Sequence, residues 1–289
     1  MKSAILTLHA LSPLHAGTGQ SDGAVDLAIA RDRASGFPIV PGSSIKGVLR
    51  DAARSHLDPN TTCALFGPET ANASEHAGSL CFDDAHLLFL PARSMAGTFA
   101  WLTSPHLLRR YLRDLALVNG KVPTFKAPKE ISQAWVTTDC ALFAKGNTIL
   151  LEDLDLQGIN DYDHDDLLAH LGQVLFPQQP KWLRQRFCLV HDDVMAFFSQ
   201  HALDITTRIS INDESKTVTR GALWTEENLP AETILYGLVA AQPTAYVQKH
   251  SSVVSAAEAL LKLKTLLSTP LHFGGNTTVG RGRTQVRCH

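Results

Sequence analysis

No stretch of this chain approaches the roughly 20 consecutive apolar residues that a membrane-spanning helix needs, and its first residues lack the charged, apolar and small-residue succession of a secretory signal. A membrane is therefore not an expected partner, and the cytoplasm is the expected location. Cysteine is scarce, with 5 in 289 residues, and none of the positions 63, 81, 140, 188 and 288 forms a C-x-x-C pair. That argues against a zinc ribbon and a disulfide framework and leaves reduced thiols used mainly for packing. Tryptophan and tyrosine are sparse, at 4 each. Trp101, Trp135, Trp182 and Trp224 stand singly, which suits core or interface anchors better than a base-stacking platform. A Walker loop is missing, because no Gly-Lys-Ser/Thr follows Gly42 at the required spacing, so nucleoside triphosphate binding is unsupported. Excess positive charge is missing too: 26 Lys and Arg against 28 Asp and Glu give a formal −2. Any surface for a polyanion must be local.

What the chain does have is a 44% hydrophobic composition, enough at this length for a substantial core. Its charges are segregated. Basic residues cluster as Lys46/Arg50/Arg54, Arg109/Arg110/Arg113, Lys121/Lys126/Lys129, Lys181/Arg184/Arg186 and Arg281/Arg283/Arg287. Acidic residues gather at Glu152-Asp153-Leu154-Asp155 and Asp161 to Asp166. This asymmetry suits one surface on a polyanion and another on neighbouring proteins.

The most informative run is Leu11 to Arg54. A Gly-rich loop with one His and two Asp leads to a short strand and a Pro-Gly-Ser-Ser turn. Ile45, Val48, Leu49, Ala52 and Ala53 then recur at helical spacing as one buried stripe, with Lys46, Arg50 and Arg54 along a separate face. Ser43 or Ser44 can cap this helix, and its first-turn N–H groups with the positive end of the dipole would attract a phosphate. A solvated basic face on an ordinary amphipathic helix is the alternative reading.

Elsewhere the pattern predicts strands over Ala4–Leu11, Phe37–Val40, Ser79–Phe82, Leu87–Leu90, Thr148–Glu152, Thr233–Ala240 and Arg283–Arg287. Helices are predicted to about His56 and over Pro105–Ala116 with Ser104 as cap, Asp165–Val174, Asp192–Ala202 and Val253–Leu267. Asn119–Lys129 has little periodicity and reads as a surface loop. Alternation from Ile205 to Tyr236, broken at Asn212-Asp213-Glu214-Ser215, predicts a long β-hairpin with a polar tip. The order strand, helix, strands, helix, strand fits an α+β fold with a ferredoxin-like β-α-β-β-α-β core and large helical insertions. With no internal repeat, the chain reads as one domain over residues 1–289, its core at about 1–56 and 203–289 and an inserted lobe at about 57–202.

Several residues invite chemistry. Gly274 and Gly275 open a segment that continues to Arg281 and Arg283, where backbone can approach a phosphate chain and the Arg side chains can supply counter-charge. A pair of turns closing the sheet is the alternative. It is not a dinucleotide fingerprint, since no helix can follow it. His15 could protonate a leaving oxygen or contact RNA. Asp22, before Gly23, is most simply a turn residue. His164 and His191, with their neighbouring aspartates, precede helical patterns and read as caps rather than metal ligands.

H-A-G-T-G, V-D-L-A-I-A-R-D, G-F-P-I-V-P-G-S-S-I-K-G-V-L-R, G-S-L-C-F-D-D-A-H-L-L-F-L-P-A-R-S, F-A-W-L-T-S-P-H-L-L-R-R and G-A-L-W-T-E-E-N-L-P occur in that order. With the closing G-G-N-T-T-V-G-R-G-R they resemble the RAMP superfamily, and specifically the repeated backbone subunit of the type III-B CRISPR (Cmr) effector. The resemblance implies an RRM-like core and a chain that lines up with other copies of itself and with other Cmr subunits along a guide RNA (crRNA). It also implies cutting of the complementary target RNA at regular intervals. The Asp of Val25-Asp26 is the implied catalytic residue. Cleavage by the 2′-hydroxyl needs that group deprotonated and the phosphate oxygens neutralised. A carboxylate with an ordinary pKa near 4 is a weak base at neutral pH, so Asp26 is expected to help hold a divalent cation, Mg2+ or Mn2+. RNA-binding positions are His15, Lys46, Arg50, Arg54, Gly274, Gly275, Arg281 and Arg283. The hairpin, with Arg208, Asn212, Lys216 and Arg220, is expected to be the superfamily's thumb, which wedges the duplex and displaces a nucleotide, with an ordinary surface hairpin as the alternative. Two alternatives remain: a non-catalytic RNA-binding backbone subunit, and a metal-independent nuclease that processes guide precursors.

Overall fold

The structure is a computed structural model that describes residues 1–20, 23–69, 71, 75–119, 122–160, 165–212, 214–243 and 255–289. The chain begins with β1 (Lys2–Ala10), β2 (Gly17–Gln20), β3 (Leu27–Ile29), β4 (Ile39–Val40), α1 (Gly42–His56) and α2 (Pro59–Phe66). It continues through β5 (Leu80–Phe82), β6 (Ala85–Arg93), β7 (Phe99–Thr103) and α3 (Pro105–Asn119). Four short strands follow, β8 (Gln133–Trp135), β9 (Phe143–Lys145), β10 (Thr148–Leu151) and β11 (Leu154–Ile159). Next come α4 (Asp165–Leu175), α5 (Trp182–Arg186), β12 (Phe187–Val190) and α6 (Asp192–His201). The last part holds β13 (Asp204–Ile211), β14 (Val218–Asn228), β15 (Ile234–Ala241), α7 (Ala256–Thr265), β16 (Leu271–His272) and β17 (Arg283–Cys288).

The large sheet has the order β16-β17-β1-β15-β6-β7-β12-β8-β11-β10-β9, with β4 on β6 and β5 on β15. At its heart β1 runs antiparallel to β15, from Lys2↔Ala241 to His9↔Ile234, and antiparallel to β17, from Leu6↔Cys288 to Ala10↔Thr284. Period-2 alternation lets β1 serve two cores. Leu6 and Leu8 pack with Leu49 of α1 and Leu263 of α7, while Ile5 packs with Leu108 and Tyr111 of α3 and Leu171 of α4. Both faces are covered, which is why I-L-T-L-H-A reads as nearly continuous apolar sequence.

Two expectations are revised here. Residues 57–202 are not a helical insertion: they carry β5 to β12 as well as α2 to α6, and these strands extend the main sheet. Within them, β6 pairs directly with β15 and so belongs to the sheet centre. The caps also differ from expectation. Ser43 and Ser44 lie inside α1, because Pro41, at ψ 138, occupies the N-cap position without a side-chain bond. Its carbonyl accepts from Ser44 and Ile45, and the Gly42 N–H donates to Asp84 Oδ1 at 2.8 Å. One orphan donor of α1 is thus taken by the protein's own carboxylate. The Ser104 hydroxyl finds no partner among the described residues, and Asp192 Oδ1 accepts from the His106 N–H of α3 instead, at 2.8 Å. The α1 stripe is as the spacing predicts, with Ile45, Leu49 and Ala53 buried.

A second sheet, β13-β14-β3-β2, stands beside the first. The β13–β14 hairpin keeps register from Asp204↔Asn228 to Ile209↔Leu223, then shifts before Ile211↔Val218. Only the base of β14 meets β3, at Glu226↔Leu27. Beyond that point the two strands pair with each other alone among the described residues.

Candidate functional site

Three segments far apart in sequence converge at the base of the hairpin: the N-terminal loop from Leu14 to Arg31, the strands around Asp204 and Glu226, and the glycine-rich run from Phe273 to Arg283. Leu14 and Leu229 exchange backbone hydrogen bonds at 2.8 and 2.9 Å. His15 is buried, its Nδ1–H donating to the Glu227 carbonyl at 2.7 Å and its Nε2 side lying against Gly17, where a Cβ would overlap the ring. The Gly275 N–H donates to the His15 carbonyl at 3.0 Å, and the Gly282 N–H to that of Pro13 at 2.8 Å. Gly274 has φ +77, and a Cβ there would run into the His15 oxygen, so this close approach requires glycine.

Charged side chains complete the junction. Glu226 accepts from Trp224 Nε1 at 2.9 Å, Asn276 Nδ2 at 3.1 Å and Arg208 Nε at 3.3 Å. Burial alone would raise its pKa, but the Trp224 and Arg208 hydrogen bonds win and hold it below the usual glutamate value. Arg281 reaches across to Asp204 Oδ2 and Thr206 Oγ1, both at 3.0 Å. On the other hairpin face, Glu227 accepts from the Ile29 N–H at 3.0 Å and from Arg31 at 2.6 Å.

Asp26 stands exposed at the edge of this junction, just before β3. Its Oδ2 accepts two hydrogen bonds from Thr225, from the N–H at 2.7 Å and the hydroxyl at 2.9 Å. The Asp26 N–H donates back to Thr225 Oγ1 at 3.1 Å. The backbone and then the side-chain hydrogen bond from Thr225 hold this carboxyl below the ordinary aspartate value. It is therefore ionised at neutral pH and a poorer base than a free aspartate.

No group of three His, Cys, Asp or Glu suited to a metal occurs among the described residues. One exposed carboxylate, with Oδ2 engaged and Oδ1 free of protein hydrogen bonds among the described residues, does not make a closed site. It fits a hard divalent cation that keeps most of its shell in water and phosphate oxygens.

The remaining sequence candidates fall into several groups. His15, Gly274, Gly275, Arg208 and Arg281 are internal ties of the junction, as described above. On α1, Arg50 donates to the Gly67 carbonyl at 3.0 Å and lies 3.7 Å from Glu69, while Arg54 pairs with Glu69 at 2.9 Å. Lys46 has no ion pair among the described residues and lines a cavity of about 490 Å³ with Ser43, Arg50 and Gly67. Arg283 has an exposed side chain, also unpaired among the described residues. At the hairpin tip, Asn212 Oδ1 accepts from the N–H groups of Glu214 at 2.9 Å and Ser215 at 3.0 Å, and Lys216 follows at φ +54. Asp22, His164 and the Arg220 side chain lie outside the described residues. His191 caps α6, its Nδ1 accepting from the Asp193 N–H at 3.2 Å. Trp101 is fully buried in the core. Thr225, Glu226, Glu227, Arg31 and Asn276 carried no role in the sequence reading, although W-T-E-E-N and G-G-N lie inside the motifs quoted for the family.

An α+β architecture in which an N-terminal loop and a C-terminal glycine-rich loop close on the base of a long hairpin defines the class of this protein. The RAMP superfamily model matches residues 7–285, and the chain belongs to that superfamily. It is 34% identical over 292 residues to the CRISPR system Cmr endoribonuclease Cmr4 of Pyrococcus furiosus, covering 99% of this chain and 95% of that protein. The CRISPR system CMR subunit Cmr4 of Saccharolobus solfataricus is 24% identical, with 97% and 94% covered. Among solved structures, oligomeric Cmr4 from Pyrococcus furiosus superposes with a TM-score of 0.73 at 25% identity, over 100% of this chain and 99% of that one. A subunit of the type III-B Cmr-beta complex bound to cognate target RNA gives 0.74 at 19% identity, over 100% and 97%, a likeness of fold.

Proposed function

We propose that this chain is the repeated backbone subunit of a type III-B CRISPR effector, an endoribonuclease that holds guide RNA and cuts the paired target RNA. Its partners are guide RNA, target RNA, further copies of itself and other Cmr subunits, and its place is the cytoplasm. The observation that carries the reading is the exposed Asp26 carboxylate clamped by Thr225 at the hairpin base, in a chain 34% identical to a Cmr endoribonuclease.

The order β17-β1-β15-β6, antiparallel throughout and connected through α1 and α7, supports a ferredoxin-like core in which β6 takes the second strand position. The exposed outer half of β13–β14 supports its reading as the thumb. In the reaction the target's 2′-hydroxyl gives its proton to water and its oxygen attacks the adjacent phosphorus. The bond to the 5′-oxygen breaks, and that oxygen takes a proton from water, leaving a 2′,3′-cyclic phosphate and a 5′-hydroxyl. Asp26 presents its ionised Oδ1 beside that phosphate, and Thr225 fixes its orientation. A divalent cation, Mg2+ or Mn2+, would be held by Asp26 together with phosphate oxygens and would supply neutralisation of the developing charge. Lys46 and Arg283, unpaired among the described residues, hold RNA backbone, while the junction ties fix the loop on which Asp26 stands.

The test is to give the assembled complex guide and labelled complementary RNA with Mg2+, with Mn2+ and with EDTA. Regularly spaced cuts that EDTA abolishes are expected. Intact target in every condition would leave a non-catalytic backbone subunit, and undiminished cutting in EDTA would remove the cation.

A further inference from the structure

Asp26 is a short side chain on an exposed loop, and nothing in its own loop among the described residues fixes its rotamer. Its orientation comes from across the sheet, from a residue 199 positions away. The Thr225 hydroxyl has one proton and two lone pairs, and the geometry uses both kinds of group: the proton goes to Asp26 Oδ2 and a lone pair accepts the Asp26 N–H. The Thr225 N–H donates to the same Oδ2, so the carboxylate takes, just before β3, the acceptor place that a strand carbonyl would fill. Three short contacts between two residues leave one carboxylate oxygen, Oδ1, pointing away from them.

Resting on the reading of Asp26 given above, we propose that Thr225 is a positioning residue for Asp26, and that through it the hairpin sets where the cutting carboxylate stands. Thr225 faces Thr207 across the hairpin, and on the same side the ladder continues to Ile209↔Leu223, after which the register shifts and Ile211↔Val218 follows. These four apolar side chains are about half exposed or more, from 48% at Ile209 to 64% at Leu223. The hairpin therefore joins its exposed apolar outer half, across a register shift after Ile209, to the donor pair that aims Asp26. A nucleotide gripped by the outer hairpin and the carboxylate that acts beside it are held in one frame, and an error in that frame is costly for an in-line attack.

Thr225→Val removes the hydroxyl but keeps the shape, the strand preference and the backbone N–H. Thr225→Ser keeps the hydroxyl. Both are placed in the assembled complex beside Asp26→Asn, and single-turnover cutting rate and half-saturating target concentration are measured separately. The expected result is a rate on the order of 10- to 100-fold lower for the valine variant with unchanged half-saturation, and restoration of most of the rate by serine. A valine variant that cuts at the normal rate while Asp26→Asn is dead would overturn the positioning role and leave the Asp26 reading standing. Equal losses with valine and serine would overturn it too, since the hydroxyl would not be what matters. Normal cutting by Asp26→Asn would overturn both.

Discussion

The base and the outer half of the β13–β14 hairpin are built from opposite chemistry. At the base Glu226, Glu227 and Asn228 are buried, and every charged group described there has a partner: Arg208 with Glu226, Arg281 with Asp204, Arg31 with Glu227. Toward the tip, Ile209, Ile211, Val218 and Leu223 are exposed and the strands pair only with each other. A two-stranded hairpin by itself is marginal in water, so the outer half takes its order from the base and from what it touches. The base is a fixed mount, and the outer half is an apolar surface that a partner would cover.

The largest effect should come from Asp26, exposed at the edge of the mount with Oδ1 free of protein hydrogen bonds among the described residues. Asp26→Asn keeps the size and an acceptor for Thr225 but removes the charge. Target cutting should be abolished, with guide and target binding nearly intact in a filter or gel-shift measurement. If Asp26→Asn cuts normally and Asp22→Asn is dead, the site moves along the loop to Asp22.

Shortening the outer hairpin around Asn212–Lys216 tests the other half of the comparison. Guide and target should still pair, because an unbroken duplex avoids the cost of unstacking a base, while cutting slows or loses its regular spacing. Unchanged spacing and rate on a sequencing gel would reduce the arm to a surface hairpin, and the distortion would have to arise elsewhere, for instance at Asn119–Lys129.

What the sequence made legible follows the range of the interactions concerned. Long periodic segments, such as α1 with Ile45, Leu49 and Ala53 in one stripe, and the alternating hairpin with its polar tip, announce themselves through local pattern. Among strands of three or four residues, β5 and β10 are expected from the pattern, but β8, β9 and β12 carry too little pattern to be read. They exist because neighbours in the sheet complete them, which also explains why a stretch expected to be helical extends the sheet. Helix capping failed at Ser43 and Ser104 for a similar reason: carboxylates from distant elements, Asp84 and Asp192, reach the donors. Asp26 itself came from the family resemblance, and Thr225 had no signal beyond standing next to Trp224 in a quoted motif. A hydrogen bond spanning 199 positions leaves no trace in periodicity.

The smallest effect expected separates free charge from spent charge on α1, and it extends the comparison to a second basic surface. Lys46, Arg50 and Arg54 share a helix face, but Arg54 is already neutralised by Glu69 and Arg50 is held by the Gly67 carbonyl. A phosphate contact by either Arg would first have to break those bonds, whereas Lys46 is ready to make one. Lys46→Ala should weaken RNA binding for all sequences alike, since phosphate contacts position without reading bases, and should lower the log–log salt slope by roughly 1. Arg54→Ala should leave that slope unchanged, and Lys46→Ala with Arg50→Ala should lower it by little more than Lys46→Ala alone. A slope that falls equally for all three residues would mean that RNA pulls the arginines from their partners. A slope that falls for none would return the whole face to solvent.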